Sequence, residues 1–135
     1  KWADGPRTFL GIQVEGFPNM FTLVGPHNAA TFCNIPRCIE QNVEWVSNLF
    51  QYMQAEGYTS VAATKAAEDE WTKHVHETSE RMLFTKVDSW FMGINPNLKG
   101  RDTRKFLLYA AGAPKYNEMC DEVADSGYKG FTFGA

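Results

Sequence analysis

The sequence predicts a mixed α/β fold in which a short apolar strand leads through a loop into a long amphipathic helix. Residues 20–24 form an apolar run of strand length, and a Gly-Pro pair follows it at once. From Ile35 onward, apolar residues recur every three or four positions. The chain of 135 residues is 44% hydrophobic, so it has the length of one domain and enough apolar material for a core.

The long helix is the element with the clearest boundaries. Asn34 is a natural N-cap, Pro36 is tolerated in the first turn, and Gly57 supplies a stop. The helical spacing is carried by Ile39, Val43, Val46, Leu49, Phe50 and Met53. When a strand, a loop and the N-terminus of a helix follow one another in this order, the backbone N–H groups and the positive end of the helix dipole point at the space above the strand. The stretch therefore resembles a cofactor-facing edge.

The other elements follow from local patterns. Residues 8–14 fit a strand or an extended strip that Gly11 interrupts, and residues 62–83 fit a second amphipathic helix. Residues 88–104 show neither period and are long for a connection without function. Residues 106–110 read as a strand, Pro114 opens a helix that closes at Gly127, and Phe131 and Phe133 alternate as a last strand.

Composition and charge exclude several classes of protein. The net charge is −3 and there is no basic stripe, which argues against nucleic-acid binding. No apolar run approaches the ~20 residues of a membrane span. Without a leader pattern at Lys1, we expect the segment to begin inside a longer protein. The three cysteines form no C-x-x-C, and reduced thiols in a cytoplasmic protein are the simplest interpretation.

Seven short motifs stand in a fixed order along nearly the whole chain. They are GFPN at 16–19, GP at 25–26, N-x-P-x-x-I-E-Q-N-V-E-W at 34–45, W-x-x-H-V at 71–75, S-W-F-x-G-x-N at 89–95, Y-N-E-M-C-D-E-V-A at 116–124 and G-Y-K-G-F at 127–131. Single motifs of this kind are weak signals, but the ordered set is specific. It resembles the C-terminal third of the flavin-dependent Baeyer-Villiger monooxygenases.

The resemblance implies a role for several positions, and no catalytic residue among them. FAD would be bound at Gly25, Pro26, Asn34 and Ile35, and the substrate cavity would be lined by Ala30, Thr31, Phe32 and Cys33. Trp90 would contact NADP from a lid loop at 88–104. The implied domains are the terminal part of an FAD-binding domain at 1–57 and a helical and irregular cap at 58–135.

For the whole enzyme, the resemblance implies insertion of one oxygen atom from O2 into a ketone. FAD, reduced by NADPH, would form a C4a-peroxide that attacks the carbonyl and gives an ester or lactone. The apolar loop favours a bulky or lipophilic ketone. The chain has no G-x-G-x-x-G turn for a pyrophosphate. The resemblance implies that the pyrophosphate sites and the catalytic arginine lie in N-terminal domains that precede it, so we expect the segment alone to be inactive.

The residues alone leave other interpretations open. Asn34 could be an ordinary cap, Phe32 and Trp90 could be core residues, and Cys38 could be a small core residue. No metal site is expected, because His74 and His76 point in different directions on one helix. Two departures from the family pattern are notable: residues 27–29 replace small groups that many members carry after GP, and residues 96–99 lack the usual P-G-K.

Two other functions also stay open. One is a related flavin monooxygenase that oxygenates nitrogen or sulfur. The other is a non-catalytic module that forms homo-oligomers through an exposed apolar surface.

Overall fold

The computed structural model describes residues 1–95, 97–98 and 104–135. Three α-helices and a two-stranded antiparallel sheet form the framework: α1 (Ile35–Glu56), β1 (Ser60–Ala63), α2 (Lys65–Ser79), α3 (Ala113–Asp125) and β2 (Phe131–Gly134). Short 3₁₀ helices lie at Ala29–Phe32, Leu83–Lys86 and Trp90–Met92. Within this described part of the chain, no helix combines the length and apolarity needed to cross a membrane. The mixed α/β prediction is confirmed.

Helix α1 begins and ends where its sequence predicts. The Asn34 side chain accepts a hydrogen bond from the Arg37 N–H, and Pro36 occupies the first turn. Gly57 ends the helix in the left-handed conformation (φ 74°), where a residue without Cβ is not strained. Local chemistry alone therefore fixes both ends of this 22-residue helix.

The predicted helix at 62–83 is too long at both ends. Residues 60–63 instead pair with residues 131–134 as β1 and β2, with Val61 opposite Phe133. The Thr64 side chain then accepts from the Ala67 N–H and starts α2. After Ser79 the chain turns, and Leu83 begins a separate 3₁₀ helix. The last strand, predicted from Phe131 and Phe133, is confirmed.

Two predicted strands are absent from the structure. Residues 20–24 are turns with one isolated bridge, between Gln13 and Phe21, because Asn19 and Val24 have positive φ and bend the backbone. Residues 106–110 are irregular, although Phe106, Leu108 and Tyr109 are buried. At residues 8–14 the strip folds into a tight turn, in which the Phe9 N–H donates to the Gln13 carbonyl. Residues 8–14 and 106–110 are apolar because they are largely buried, whereas residues 20–24 stay partly exposed and pair with no neighbouring strand.

Two side-chain amides occupy the free edge of β1, where a further strand could pair. Gln13 donates to the Val61 carbonyl (3.2 Å) and accepts from the Ala63 N–H. Asn19 accepts from the Val61 N–H (2.9 Å) through its side chain, and its own N–H donates to the Val61 carbonyl (2.9 Å). The Val61 N–H, the Val61 carbonyl and the Ala63 N–H thus all have partners on the edge of β1 away from β2, as buried polar groups require.

One core joins the regions on either side of residue 57. Leu49 from α1, Val75 from α2 and Cys120 from α3 are all fully buried in one apolar cluster. The Trp45 indole N–H donates to the Cys120 carbonyl across it (2.9 Å). The division at residue 57 stays a prediction, but the core contains side chains from both sides of it.

Replacing Gln13 by Ala should lower the free energy of unfolding by about 1–3 kcal/mol. The substitution leaves the buried Ala63 N–H without a partner, whereas the Val61 carbonyl still accepts from the Asn19 N–H. Urea unfolding followed by circular dichroism measures the change. Gln54→Ala, on the exposed face of α1, is the control and should shift stability by less than about 0.5 kcal/mol. Equal stability of the two variants would contradict the prediction.

Candidate functional site

The first predicted site region is the N-terminus of α1. Asn34, Ile35, Pro36 and Arg37 are all exposed, and the Ile35 side chain keeps 54% of its surface. Asn34 caps the helix, so its first turn has a fixed direction. The positive end of the helix dipole therefore faces open space, where negative charge is stabilised by about 0.3–1 kcal/mol.

Gly25 and Pro26 lie just upstream and are half-buried. At Gly25, an added Cβ would lie 2.8 Å from the Gly11 carbonyl oxygen and would also meet the Thr22 side chain. This close approach is made by the protein's own backbone, which gives Gly25 a packing role. Its binding of FAD stays a prediction.

The predicted substrate segment forms the 3₁₀ helix Ala29–Phe32, which Asn28 caps by accepting from the Ala30 N–H (3.1 Å). The Ala30 methyl is directed into the core, because the residue is 2% exposed. Phe32, in contrast, is 45% exposed, so it is not a core residue. Thr31 lies in the helix between them, and Cys33 follows half-buried. Phe32 is thus an accessible side chain of this segment.

A buried polar network that the sequence did not reveal lies directly behind this segment. The Asn28 amide donates to Asn42 Oδ1 (2.9 Å) and to the Tyr116 hydroxyl (2.7 Å), and Asn42 donates to the same hydroxyl (3.2 Å). Tyr116 in turn donates to the Leu10 carbonyl (2.7 Å), and Asn42 Oδ1 also accepts from the Val24 N–H. Asn28, Asn42 and Tyr116 are each at most 3% exposed. The network fixes the segment to α1 and α3.

His27 is a second buried polar residue beside the segment. Its Nε2 lies 3.3 Å from the Phe106 carbonyl, which can only accept, so Nε2 carries the proton of a neutral ring. Its Nδ1 lies 3.4 Å from the Thr8 hydroxyl. Burial lowers the pKa of His27 to about 4, and the nearby His76 and Arg7 act in the same direction. His27 therefore holds the loop to the core and stays neutral at ordinary pH.

Cys33 and Cys38 are joined as a disulfide across the N-cap of α1, and their Cα atoms are 6.9 Å apart. The prediction of three reduced thiols is wrong for this pair, because the chain turn at Asn34 brings the end of one helix over the start of the next. Cys38 is half-buried and does not belong to the core. Cys120 is free and buried, and burial raises its pKa to about 12.

Aromatic rings connect the substrate segment with Trp90. Phe32 stacks on Phe84 (5.5 Å between ring centroids), Phe84 packs against Phe91 (6.0 Å), and Phe91 packs against Trp90 (4.2 Å). Trp90 is 63% exposed, which excludes a core role, and it lines an open pocket of about 530 Å³ with Asp88, Ser89, Ile94 and Asn95. The structure thus brings two of the predicted site regions onto one surface.

Main-chain bonds fasten both ends of the predicted lid at 88–104. The Lys105 N–H donates to the Met92 carbonyl (2.7 Å), and the Leu107 N–H donates to the Phe91 carbonyl (3.0 Å). Arg104 forms an ion pair with Asp88 (2.7 Å). Both ionic groups are largely exposed, so this pair stabilises the loop by at most about 1 kcal/mol. Residues 96 and 99–103, which include two of the four residues of the 96–99 departure, lie outside the described residues.

Comparison with known proteins shows what this chain is similar to. No family model matches the chain. The chain is 42% identical over 130 residues to a 2-oxo-Δ3-4,5,5-trimethylcyclopentenylacetyl-CoA monooxygenase of Pseudomonas putida, which covers 96% of the chain and 24% of that protein. It is 35% identical over 127 residues to a Baeyer-Villiger monooxygenase of Pseudooceanicola batsensis, covering 94% of the chain and 22% of that protein. In sequence, the chain matches the Baeyer-Villiger monooxygenases.

The folds of these monooxygenases agree with the match. The crystal structure of OTEMO in complex with FAD and NADP superposes on 98% of this chain with a TM-score of 0.87 and 40% sequence identity, and the match covers 24% of the OTEMO chain. The cyclohexanone monooxygenase from Rhodococcus sp. Phi1 bound to NADP+ gives 0.88, with 32% identity over 97% of the chain and 24% of its own. The family resemblance is therefore confirmed, and the chain spans about a quarter of the length of these relatives.

The pH dependence of stability should report on His27. Its pKa is about 4 in the folded chain against 6.5 for a free histidine, so the unfolded chain binds the extra proton first. Stability is consequently complete above pH 6.5 and is lost as the pH falls from 6.5 towards 4, by up to about 3 kcal/mol. Urea unfolding at several pH values measures the loss.

The matched variant for this test is His27→Gln, which keeps an N–H donor but does not titrate. It should lose clearly less stability than the unsubstituted chain between pH 6.5 and 4. His74→Gln is the control: burial also lowers the pKa of His74, but this residue is only partly buried, so the variant should change the pH dependence less than His27→Gln does. Parallel pH curves for His27→Gln and the unsubstituted chain would contradict the prediction.

Proposed function

We propose that the chain is part of an FAD- and NADPH-dependent monooxygenase that inserts one oxygen atom from O2 into a ketone to give an ester or lactone. The observation that carries the proposal is the match to OTEMO, whose structure holds FAD and NADP, over 98% of this chain. Bound FAD would supply the oxygen-activating chemistry, and NADPH the reducing equivalents. The chain itself would supply one wall of the site.

The residues at the start of α1 fit a flavin. Asn34 and Ile35 present a capped and exposed helix N-terminus, whose N–H groups and dipole favour the negative charge that a reduced ring carries. The Asn28, Asn42 and Tyr116 network would hold the neighbouring segment in place during that interaction. The contribution of this segment to catalysis would be orientation and charge stabilisation.

The aromatic surface fits an apolar substrate. Phe32 is exposed beside Cys33 and stacks on Phe84, which gives a flat apolar wall next to the helix start. Such a wall favours a bulky or lipophilic ketone, since burial of apolar area contributes about 25 cal/mol per Å². Because the Ala30 side chain is directed inward, its role would be limited to the backbone.

Trp90 fits a role in binding NADP. An indole has a broad apolar face and a single N–H donor, so it can both cover and orient a cofactor. Trp90 is 63% exposed and lines the pocket at the base of the predicted lid. Closure of that lid would exclude water from the reaction.

Oxygenation of nitrogen is the second candidate, because the phenazine N-monooxygenase PhzNO1 of Lysobacter antibioticus is 40% identical over 130 residues. The match covers 96% of this chain and 23% of the length of PhzNO1. A non-catalytic module, homo-oligomer formation and a cytoplasmic location also stay predictions.

Activity of the full-length polypeptide tests the proposal. We expect bound flavin by absorbance, NADPH oxidation that depends on a ketone such as cyclohexanone, and an ester or lactone whose mass exceeds that of the ketone by one oxygen atom. A thioether and an aromatic N-heterocycle, assayed in parallel, separate the second candidate. A purified full-length protein without flavin, or one that oxygenates only nitrogen or sulfur, would overturn the first.

Substitution of Trp90 in the full-length enzyme should weaken NADPH binding. Trp90→Phe keeps a ring but removes the N–H, so the loss of one hydrogen bond should raise KM for NADPH about tenfold. Trp90→Ala should raise it further, because the apolar face is lost as well. The control is Trp2→Ala, an exposed tryptophan that bonds the Arg7 carbonyl near the other end of the chain. Unchanged kinetics in Trp90→Ala would remove Trp90 from the cofactor site.

A further inference from the structure

Cys33 and Cys38 occupy the two positions that pack together at the start of a helix. With Asn34 as the N-cap of α1, Cys33 comes directly before the cap and Cys38 is the fourth residue of the helix. Side chains at these two positions meet over the first turn, in the arrangement called the hydrophobic staple. Here both side chains are thiols, and their sulfur atoms are joined. The contact between the two cysteines therefore follows from the way α1 begins.

The fold does not depend on this disulfide. The Asn34 side chain fixes the direction of α1 by accepting from the Arg37 N–H, and the Asn28 side chain caps the preceding 3₁₀ helix. The two cysteines are only 5 positions apart, and the stabilisation that a cross-link gives falls with the length of the loop that it closes. The bond can therefore open and close while the chain stays folded.

The disulfide joins two parts of the proposed site. Cys33 follows directly after Phe32, and we call Phe32 and the 3₁₀ helix that carries it the substrate wall. Cys38 lies one turn into α1, beyond Asn34 and Ile35, which we call the flavin corner. The bond ties the Phe32 end of the substrate wall to the helix at this corner. Without the bond, that end is connected to α1 only through the backbone at Asn34, so it gains freedom to move.

A small oxidant has access to this pair but not to the third cysteine of the chain. Cys33 and Cys38 are half-buried, whereas Cys120 is fully buried, and burial raises the pKa of Cys120 to about 12. The thiolate is the reactive form of cysteine, and the positive end of a helix favours it. Cys38 lies near that end of α1. Oxidation should therefore affect the pair and spare Cys120.

We propose that Cys33 and Cys38 form a reversible dithiol–disulfide switch that responds to peroxide and sets how firmly the substrate wall is held. One thiolate attacks an oxygen of hydrogen peroxide, the O–O bond breaks, and a sulfenic acid and water are formed. The second thiol attacks the sulfenic sulfur, a second water leaves, and the S–S bond closes. The two thiols thus give up two electrons and two protons, and the peroxide becomes two molecules of water.

The source of the peroxide rests on the proposed function. When NADPH reduces O2 without oxygen transfer to a ketone, the products are NADP+ and hydrogen peroxide. This peroxide would be released next to the pair, because Cys33 lies between the substrate wall and the flavin corner. A dithiol reductant reopens the bond by thiol–disulfide exchange.

Differential alkylation of the full-length, flavin-loaded protein tests the chemistry. The protein is reduced with dithiothreitol, transferred to buffer without it, treated with hydrogen peroxide, and alkylated under denaturing conditions. Cleavage after glutamate then gives one peptide, residues 16–40, which contains Cys33 and Cys38 but not Cys120. By mass spectrometry we expect two alkyl groups on this peptide before peroxide. After peroxide we expect none, with the loss of two hydrogen atoms and no gain of oxygen. Alkylation of Cys120 should be equal in both samples.

Hydrogen exchange measures the effect on the substrate wall independently of activity. The amides of residues 29–34 should exchange at least about threefold faster in the reduced protein than in the oxidised protein. The KM for a bulky ketone should be at least about threefold higher in the oxidised protein, because a wall that cannot shift accommodates the ketone less well. The KM for NADPH should not change. In Cys38→Ser no S–S bond forms, so this matched variant should show the exchange rates and KM values of the reduced protein.

Several results would overturn the switch. One is a bond that dithiothreitol does not open; another is a peptide that keeps both thiols, or gains oxygen, after peroxide. Equal exchange of residues 29–34, or an equal KM for the ketone, in the two redox states would also overturn it, because the bond would then not control the wall. A protein that lacks flavin and ketone oxidation but shows the expected mass and exchange changes would retain the switch, while the proposed function fails.

Discussion

The Tyr116 hydroxyl is the atom on which the arrangement of the site depends. It accepts from two amides and donates to a carbonyl, and those three partners come from the N-terminal turn, from the loop before the 3₁₀ helix and from α1. Burial raises the pKa of Tyr116 well above its ordinary value, so the hydroxyl remains a donor at any ordinary pH. Because every group in the network is paired, the interior can hold these polar atoms at little cost.

The network also explains how a segment without regular secondary structure is held in place. Between Leu10 and Asn28 the chain forms turns and a single isolated bridge, so few regular hydrogen bonds fix it. Side chains replace them: Asn42 holds Val24, Asn28 caps the 3₁₀ helix, and His27 bonds the Phe106 carbonyl. The proposed flavin corner and substrate wall are therefore supported by side chains from distant parts of the sequence.

Those elements that could be predicted from the sequence are the ones set by neighbouring residues. Helix α1 has its cap, its period and its stop within one continuous stretch, so it was predicted at both ends. Strand β1 was not, because its partner lies some seventy residues away and its residues alone fit a helix equally well. Residues 20–24 show the opposite error, since their strand-like apolar run, in which Met20 and Leu23 are exposed, has no neighbouring strand to pair with.

The same distinction applies to the site. Trp90 and Asn34 stood out through local motifs, whereas His27, Asn28 and Tyr116 became significant only when α1, α3 and the loops were packed together. The spacing of Asn28, Asn42 and Tyr116 in the sequence does not predict a network, because these hydrogen-bond partners lie fourteen or more positions apart.

The amides of Gln13 and Asn19 on the edge of β1 have a consequence for aggregation. An open strand edge is a template on which other chains can add strands, and natural proteins block such edges by charge, proline or cover. Here the Gln13 and Asn19 side chains take the place of a neighbouring strand. They hydrogen-bond backbone groups of Val61 and Ala63 that a foreign strand would otherwise bind. Loss of either amide would expose β1 to recruitment by a foreign strand, and self-association through that edge would then compete with correct folding.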